Sequence, residues 1–406
     1  MDYDAVVVGA GPVGSAAARD IARAGFKTLL LEEHKKVGKP TFCSGLVTPR
    51  TLELASISDG VVINTLKGAL VHSASGKELK LGGDKVHAVA IDRAAFDQKL
   101  AEQAQEEGAD LLLESRLIHI ERQGRYVSLG INQGGRSIRA NAKLLKGADG
   151  AYSRVARWMN GPSSGETITA VSVDTRLKTR TVDQADIFVA KSIAPGWFGW
   201  NIPLGNGVAR VGIGDGTSSA KPLNQLLKEL VYTFPRQLEG IELGRFRGHA
   251  IPIYSPIKTY NDNALLVGDA ARQVKPTSGG GIYTGLVGAK HCAIVAADAL
   301  KRDDLSESFL SRYETSWRGE LGDELERGMD LRRVFVSLSD REIGRLLTLL
   351  ARPPFLKIIN RFGDIDFQSP LFGHLVEAMP LLRLFIRFPF DFLGHWKPWF
   401  SDIGES

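Results

Sequence analysis

Only two cysteines, Cys43 and Cys292, occur in the 406 residues. That number excludes a disulfide-built scaffold and any four-cysteine zinc or iron–sulfur centre. The excess of positive charge is slight, 51 Lys and Arg against 46 Asp and Glu for a net of +5. No long Lys/Arg block occurs either, so nothing points to nucleic acid. The excess suits acidic small molecules and an anionic membrane surface equally. No apolar run approaches the roughly 18 residues of a spanning helix. The chain opens directly into Tyr3-Asp4-Ala5-Val6-Val7-Val8, with no basic stretch leading into an apolar one, which predicts no secretory signal. The histidines, His72, His87 and His249 among them, lack ligand spacing, so no metal is assigned. With 43% hydrophobic and 24% charged residues, the remaining reading is a folded intracellular protein.

Asp4 to Val8 is a short β-branched run, read as a buried strand. A glycine turn and the alanine-rich helix Ser15 to Ala24 follow it, and Thr28 to Leu31 reads as the next strand. This β-α-β unit within about thirty residues begins a parallel sheet and an α/β, Rossmann-like fold. Short strands with turns are expected from about 67 to 90, as in Val71-His72-Ser73 and 77–81, and further strands at 110–113, 118–121, 127–131, 143–145 and 263–267, with helices at 94–107, 223–232 and 283–300. The stretch 166–254 is rich in Thr, Val, Ile and Gly and reads as mainly β. After 304 the pattern turns helical, and residues 351–400 hold 11 of the 32 aromatics. The expected organisation is a discontinuous dinucleotide-binding domain (1–66, 88–165 and 255–303), a β-rich substrate domain (67–87 and 166–254) and a helical, aromatic C-terminal region (304–406).

Gly9-Ala10-Gly11-Pro12-Val13-Gly14 is GxGxxG between a strand and a helix. Its glycines allow a tight turn and close approach of a pyrophosphate, and the helix N-terminus offers free N–H groups to the phosphates. Glu32 closes the next strand, where a carboxylate can accept the hydroxyls of an unphosphorylated ribose, so FAD or NAD is favoured over NADP. Strand-then-Asp turns recur at Gly147-Ala148-Asp149-Gly150 and Val267-Gly268-Asp269-Ala270. The second resembles the flavin ribityl contact of hydroxylase-type flavoproteins. Arg93 matches an arginine of the same group, and its alternative is an ordinary helix-start residue. Gly279-Gly280-Gly281 leads into the helix Tyr283 to Leu300, whose N-terminus would face the flavin pyrimidine edge in that reading. No second strand–GxGxxG–helix unit exists, so a nicotinamide donor would have no fold of its own.

The whole chain resembles the geranylgeranyl reductase family of hydroxylase-type flavoproteins, and within it the archaeal digeranylgeranylglycerophospholipid reductases. Phe42-Cys43-Ser44-Gly45-Leu46 resembles the cysteine–glycine segment beside the flavin, and Gly279 to Gly285 the triple-glycine turn. Phe198-Gly199-Trp200-Asn201-Ile202-Pro203, followed by Gly212-Ile213-Gly214, resembles the YxWxFP…GxG signature lining the isoprenoid site. Phe198 stands where that signature has Tyr, and Ile202 where it has Phe. The resemblance covers roughly residues 1–300. It implies bound FAD, an isoprenoid lipid substrate, and saturation of geranylgeranyl double bonds on archaeal membrane-phospholipid precursors. It assigns cofactor contacts to Gly9, Gly11, Pro12, Val13, Gly14, Glu32, Cys43, Ser44, Gly45, Leu46, Arg93, Leu117, Asp149, Gly268, Asp269, Gly280, Gly281 and Ile282. Phe198, Trp200, Ile202 and Pro203 are the expected substrate contacts. Their types suit an apolar chain without a polar handle.

Cys43 is the first candidate for the proton source, or else a cofactor-packing residue. Cys292, inside an alanine-rich helix, reads as core. The pair could bond only if the fold joined them. The reduced electron donor is left between NAD(P)H and a ferredoxin-like protein. Leu381 to Phe390, with Trp396 and Trp399 beyond, mixes aromatics with basic residues, which suits membrane contact, a roof over lipid tails or a docked core helix. The location expected is cytoplasmic, peripheral on the inner face of the membrane. The nearest rival is a flavin monooxygenase or halogenase of a small hydrophobic substrate. Phe198-x-Trp200-x-Ile202-Pro203 is one residue from the halogenase WxWxIP, with Lys77, Lys80 or Lys85 as conceivable catalytic lysines. Pro276-Thr277-Ser278-Gly279-Gly280-Gly281 and Arg272, where hydroxylases usually have His, fit the reductases better. A quinone-feeding electron relay lacks the cysteines for its cluster, and a lipid binder holding FAD structurally is a third class.

Overall fold

A computed structural model describes residues 2–162, 165–177, 181–219 and 221–377. The aromatic stretch from Leu381 through Trp396 and Trp399 lies outside the described residues. At the centre is a parallel sheet in the order Asp110–Leu112, Thr28–Leu31, Asp2–Val8, Arg136–Gly147, Ala264–Leu266. The short apolar runs of Asp2–Val8, Thr28–Leu31 and Ala264–Leu266 are buried on both faces, as a covered parallel sheet requires. Helices Pro12–Arg23, Arg93–Glu106 and Ile282–Arg302 belong to the helical side. An antiparallel hairpin, Ser115–Gln123 with Tyr126–Gln133, extends Arg136–Gly147 and covers the other side through Leu117, Val127, Leu129 and Ile131.

The first helix has an alanine face, and it packs against Ile282–Arg302, which is alanine-rich in turn. Small residues let the two backbones approach. A Cβ at Gly285 would lie 2.5 Å from Val13 Cγ2, and one at Gly268, whose φ is +66°, 3.0 Å from Val13 Cγ1. Phe96 of Arg93–Glu106 is fully buried in the same core, and its truncation to alanine would cost about 3–5 kcal/mol.

Seven strands form the second sheet, in the order Arg247–Ile251, Ile168–Arg176, Val208–Asp215, Gly199–Gly205, Gln184–Val189, Gly68–Ser73, Glu78–Gly82. All its pairings are antiparallel except Gln184–Val189 with Gly68–Ser73. Helix Leu223–Thr233 covers one face through Leu226, Leu227 and Leu230. The other face carries Ile168, Ala170, Trp200 and Ile202 and packs with Ala88 and Ala90. Those two alanines belong to a small sheet, Leu46–Val47, Ala88–Ile91 and Val62–Leu66, of which the sequence reading anticipates only short strands up to about residue 90. Helix Pro49–Ala55 is unforeseen. Both elements are too short to show a period.

Beyond residue 304 the chain is helical: Glu307–Ser337, Asp340–Leu350, Pro353–Phe362 and Ser369–Glu377. Ser339 and Glu342 form a reciprocal capping box that starts the second of these. Trp317 and Tyr313 of the longest helix are fully buried against the first core. Among the described residues no helix is long and apolar enough to cross a membrane.

Candidate flavin and lipid site

The glycine turn between the first strand and first helix is built by exclusion. A Cβ at Gly14 would fall on the carbonyl oxygen of Gly9, and one at Gly9, whose φ is +100°, on the carbonyl of Ala148. Gly11 differs, because a Cβ there would meet no protein atom within 4 Å. Open space at a helix N-cap, beside unsatisfied N–H groups, is a seat for phosphate. Pro12 occupies the first helical turn, where its missing N–H removes no helix bond. Glu32 is nearly buried beside this turn. Its carboxylate accepts from Ala10 N at 3.1 Å and His34 N at 3.0 Å, and lies 2.6 Å from His34 Nδ1. A carboxylate so anchored still has lone pairs for ribose hydroxyls. Leu117 is a neighbour on this side: Ser115 N donates to Glu32 O at 2.7 Å, and Leu117 follows in the same strand, buried.

Asp149 is engaged in a way the sequence reading does not foresee. Its carboxylate caps helix Arg154–Asn160, accepting from Ser153 Oγ at 2.5 Å and Arg154 N at 2.7 Å. Only its backbone approaches the glycine turn, with Cα 3.1 Å from the position of a Gly9 Cβ. Asp269 has the opposite character. No described residue donates a side-chain hydrogen bond to it, and burial pushes its carboxyl up to about 6 although the Arg93 charge opposes this. A Cβ on Gly281 would stand 2.8 Å from Asp269 Oδ1, so the helix N-terminus at Gly281-Ile282 and this carboxylate share one recess. An acceptor of this kind suits a ribitol hydroxyl.

Arg93 is the hub of the recess. Its guanidinium grips Asp97 with two bonds of 2.9 and 3.0 Å and lies close enough to Cys43 to interact with it electrostatically. Burial alone would lower its pKa, but Asp97 and Cys43 together raise it, and the charge is held. Burial, with the Arg93 charge adding to it, pushes His249 down to about 4, so that ring is neutral near pH 7. Cys43 is half-buried, and Gly45 N approaches its Sγ at 3.4 Å. Gly45, with φ +68°, leaves no room for a side chain: a Cβ would lie 2.8 Å from Arg210 Nη1 and from Ile91 O.

That arginine is a residue the sequence reading misses. Arg210 donates to Ser44 O at 2.8 Å and Cys43 O at 3.3 Å while paired with Asp174 at 2.6 and 3.0 Å. It thereby ties the cysteine segment to the second sheet. The available signal is its spacing from Gly212 and Gly214, since alternate residues of a strand share a face.

Phe198, Trp200 and Ile202 do lie together, beside the two glycines of the GxG pair. A Cβ at Gly212 would enter the Trp200 indole, and one at Gly214 would enter the Trp197 indole. Trp197 stacks on Phe198 at 4.9 Å, with Arg332 of the long C-terminal helix over its ring at 5.0 Å. A Cβ at Gly279 would lie 3.0 Å from Trp197 Cζ2, so this aromatic face meets the triple-glycine turn. Trp200 and Ile202 are 5% and 2% exposed, and they form the floor of a closed interior face more than a surface groove. Pro203 falls on the other side of the pleat, and its carbonyl accepts from Asn64 Nδ2 at 2.9 Å. Trp200 Nε1 and His249 Nδ1 are buried without a hydrogen-bonding partner among the described residues.

The two cysteines remain separate thiols. Cys292 is fully buried in helix Ile282–Arg302, where burial pushes its thiol up against the opposing charge of Lys146.

Comparisons with known proteins agree with this geometry. Residues 2–203 match the family model described as FAD binding domain. The chain is 33% identical to digeranylgeranylglycerophospholipid reductase 1 of Methanococcoides burtonii over 91% of this chain and 92% of that one. It is 32% identical to digeranylgeranylglycerophospholipid reductase 2 of Methanopyrus kandleri over 89% and 93%. Among solved structures, a geranylgeranyl bacteriochlorophyll reductase-like protein from Thermoplasma acidophilum superimposes with a TM-score of 0.82 at 25% identity, covering 93% of this chain and 99% of that one. The similarity to these reductases extends over nearly the full length of both chains, and the chain belongs to the digeranylgeranylglycerophospholipid reductase family of FAD-binding flavoproteins.

Proposed function

We propose that this protein saturates double bonds of geranylgeranyl chains on archaeal membrane-phospholipid precursors. The observation that carries the reading is the Phe198–Trp200–Ile202 face, in one cluster with Trp197, whose indole meets the triple-glycine turn at Gly279, in a chain of this family. Bound FAD, once reduced, supplies the hydride. The protein's own residues do the rest. Gly9, Gly11 and Gly14 with the first helix seat the pyrophosphate, and Glu32 takes the ribose hydroxyls. Asp269 accepts from the ribitol, and the N-terminus at Gly281-Ile282 favours negative charge on the reduced ring.

An isolated trisubstituted alkene offers nothing polar to bind. The site must therefore hold it through apolar area and exclude water, which the nearly closed faces of Trp200 and Ile202 are suited to do. Cys43, half-buried between Arg93 and the Arg210-held carbonyls, is the proposed proton source. Electrons arrive from NAD(P)H or a ferredoxin-like protein. The lipid is met by peripheral contact with the inner membrane face, because a substrate of this class resides in the bilayer.

The test is reduction of the flavin with dithionite under nitrogen, followed by a digeranylgeranyl phospholipid and mass spectrometry. A gain of about two mass units per saturated bond with flavin reoxidation supports the reading. A hydroxylated or halogenated product that forms only with oxygen would replace it by the monooxygenase reading. Sedimentation with anionic vesicles checks the membrane contact.

A further inference from the structure

Asp366 lies in the helical C-terminal region, outside every segment described above as a cofactor or lipid contact, yet it is only 2% exposed. Its Oδ1 accepts from Lys275 Nζ at 2.8 Å, and Lys275 Nζ also donates to Ile365 O at 2.8 Å. Its Oδ2 accepts from Thr48 Oγ1 at 2.5 Å and lies 3.6 Å from Arg50 Nη1. Lys275 belongs to the turn that ends in Gly279-Gly280-Gly281. Its backbone N–H donates to Gly280 O at 3.2 Å, and a Cβ on Gly280 would lie 2.7 Å from Lys275 Cε. Thr48 follows the Cys43–Val47 segment at the N-cap position of helix Pro49–Ala55, where its hydroxyl turns to Asp366 in place of the helix. One carboxylate thus joins the two segments that frame the recess around Arg93 and Asp269. Thr277 adds a second tie from the same turn, to Gln368.

We infer that Asp366 is a positioning residue for the flavin: it fixes the separation of the Cys43 and triple-glycine segments and neutralises the Lys275 ammonium beside the latter. The inference rests on the flavin reading of the site. A neutral or shorter side chain at 366 leaves a buried lysine, 4% exposed, without its anion. The turn then relaxes, and uncompensated positive charge stands next to the seat of the reduced ring.

The experiment compares the parent protein with Asp366→Asn and Thr48→Val. FAD affinity is read by flavin-fluorescence titration, alongside the visible flavin spectrum, the reduction potential and the thermal midpoint. Asp366→Asn is expected to weaken binding of oxidised FAD roughly tenfold. It should also alter the visible spectrum and raise the potential, by about 30 mV for each tenfold gain in preference for reduced FAD. Thr48→Val keeps the ion pair and loses the hydrogen bond to Asp366, with a second one to Thr51, so its changes run in the same direction and are smaller. It decides the matter alone if Asp366→Asn does not fold. Variants that melt earlier while binding FAD with the parent's affinity, spectrum and potential would reduce Asp366 to a structural tie and overturn the inference. A parent protein that binds no FAD would instead sink the flavin reading, and this inference with it.

Discussion

Replacing Gly11 with alanine should separate the cofactor seat from the fold. Gly11 is the N-cap of the first helix, at φ −68° and ψ 178°, a conformation any residue adopts. No protein atom lies within 4 Å of a Cβ placed there. Two small terms then set the stability of the variant. Reduced freedom of the unfolded chain stabilises it by about 0.4–1 kcal/mol. Loss of a favourable N-cap residue costs roughly 0.5–1 kcal/mol. They nearly cancel, so the thermal midpoint measured without added FAD should move by no more than a few degrees. The new methyl group nevertheless occupies the space through which a pyrophosphate would approach the helix N-terminus. A loss of about 1.4 kcal/mol or more, a tenfold or larger rise in the FAD dissociation constant, is expected by titration calorimetry. Gly14→Ala is the contrast, because its Cβ would fall on the Gly9 carbonyl and break the turn itself. Unchanged FAD affinity in Gly11→Ala would show that the pyrophosphate does not cross this residue. A large fall in its midpoint would show that the space is not open.

The raised carboxyl of Asp269 fixes the sign of one pH effect. With a native pKa of about 6 against an ordinary 3.8, its contribution is fully present below about pH 4 and lost as pH rises through 6. Flavin-free Asp269→Asn should therefore lack a decline of about 2 kcal/mol that the parent shows over this window, and parallel stability curves would refute the assignment. Gly212→Ala drives a methyl group into the Trp200 indole, at about 1–3 kcal/mol of overpacking. It should keep FAD but lose lipid-dependent reoxidation of the reduced flavin at least tenfold in single-turnover measurements, and an unchanged rate would remove Trp200 from the lipid face. Cys43→Ala should retain FAD and slow that same reoxidation by about two orders of magnitude, whereas an equal rate would place the proton source elsewhere.

Motifs made of contiguous residues were legible before any coordinates. Strand, glycine turn, helix and Glu32 occupy the places that their order and spacing require, because a parallel β-α-β unit leaves little choice of geometry. The pairing of Phe198, Trp200 and Ile202 was legible for a related reason: a strand puts alternate residues on one face. The same rule separates Pro203 from them.

Asp149 shows where spacing alone misleads. Its strand-then-Asp turn looks like that of Asp269, yet a helix begins five residues after it and takes the carboxylate as a cap, while Asp269 is left facing a recess.

By itself, then, the sequence determined the Rossmann-like start, the dinucleotide seat and the aromatic strand, all of which depend on neighbours close along the chain. Only the tertiary structure decided what encloses them. Arg210 reaches across 166 residues to Ser44, Arg93 gathers Cys43, Asp97 and Asp269, and Asp366 comes from 318 residues beyond Thr48 to bind it to Lys275. Side chains so far apart along the chain follow no local period, and their partners are fixed by the packing of whole sheets and helices against one another.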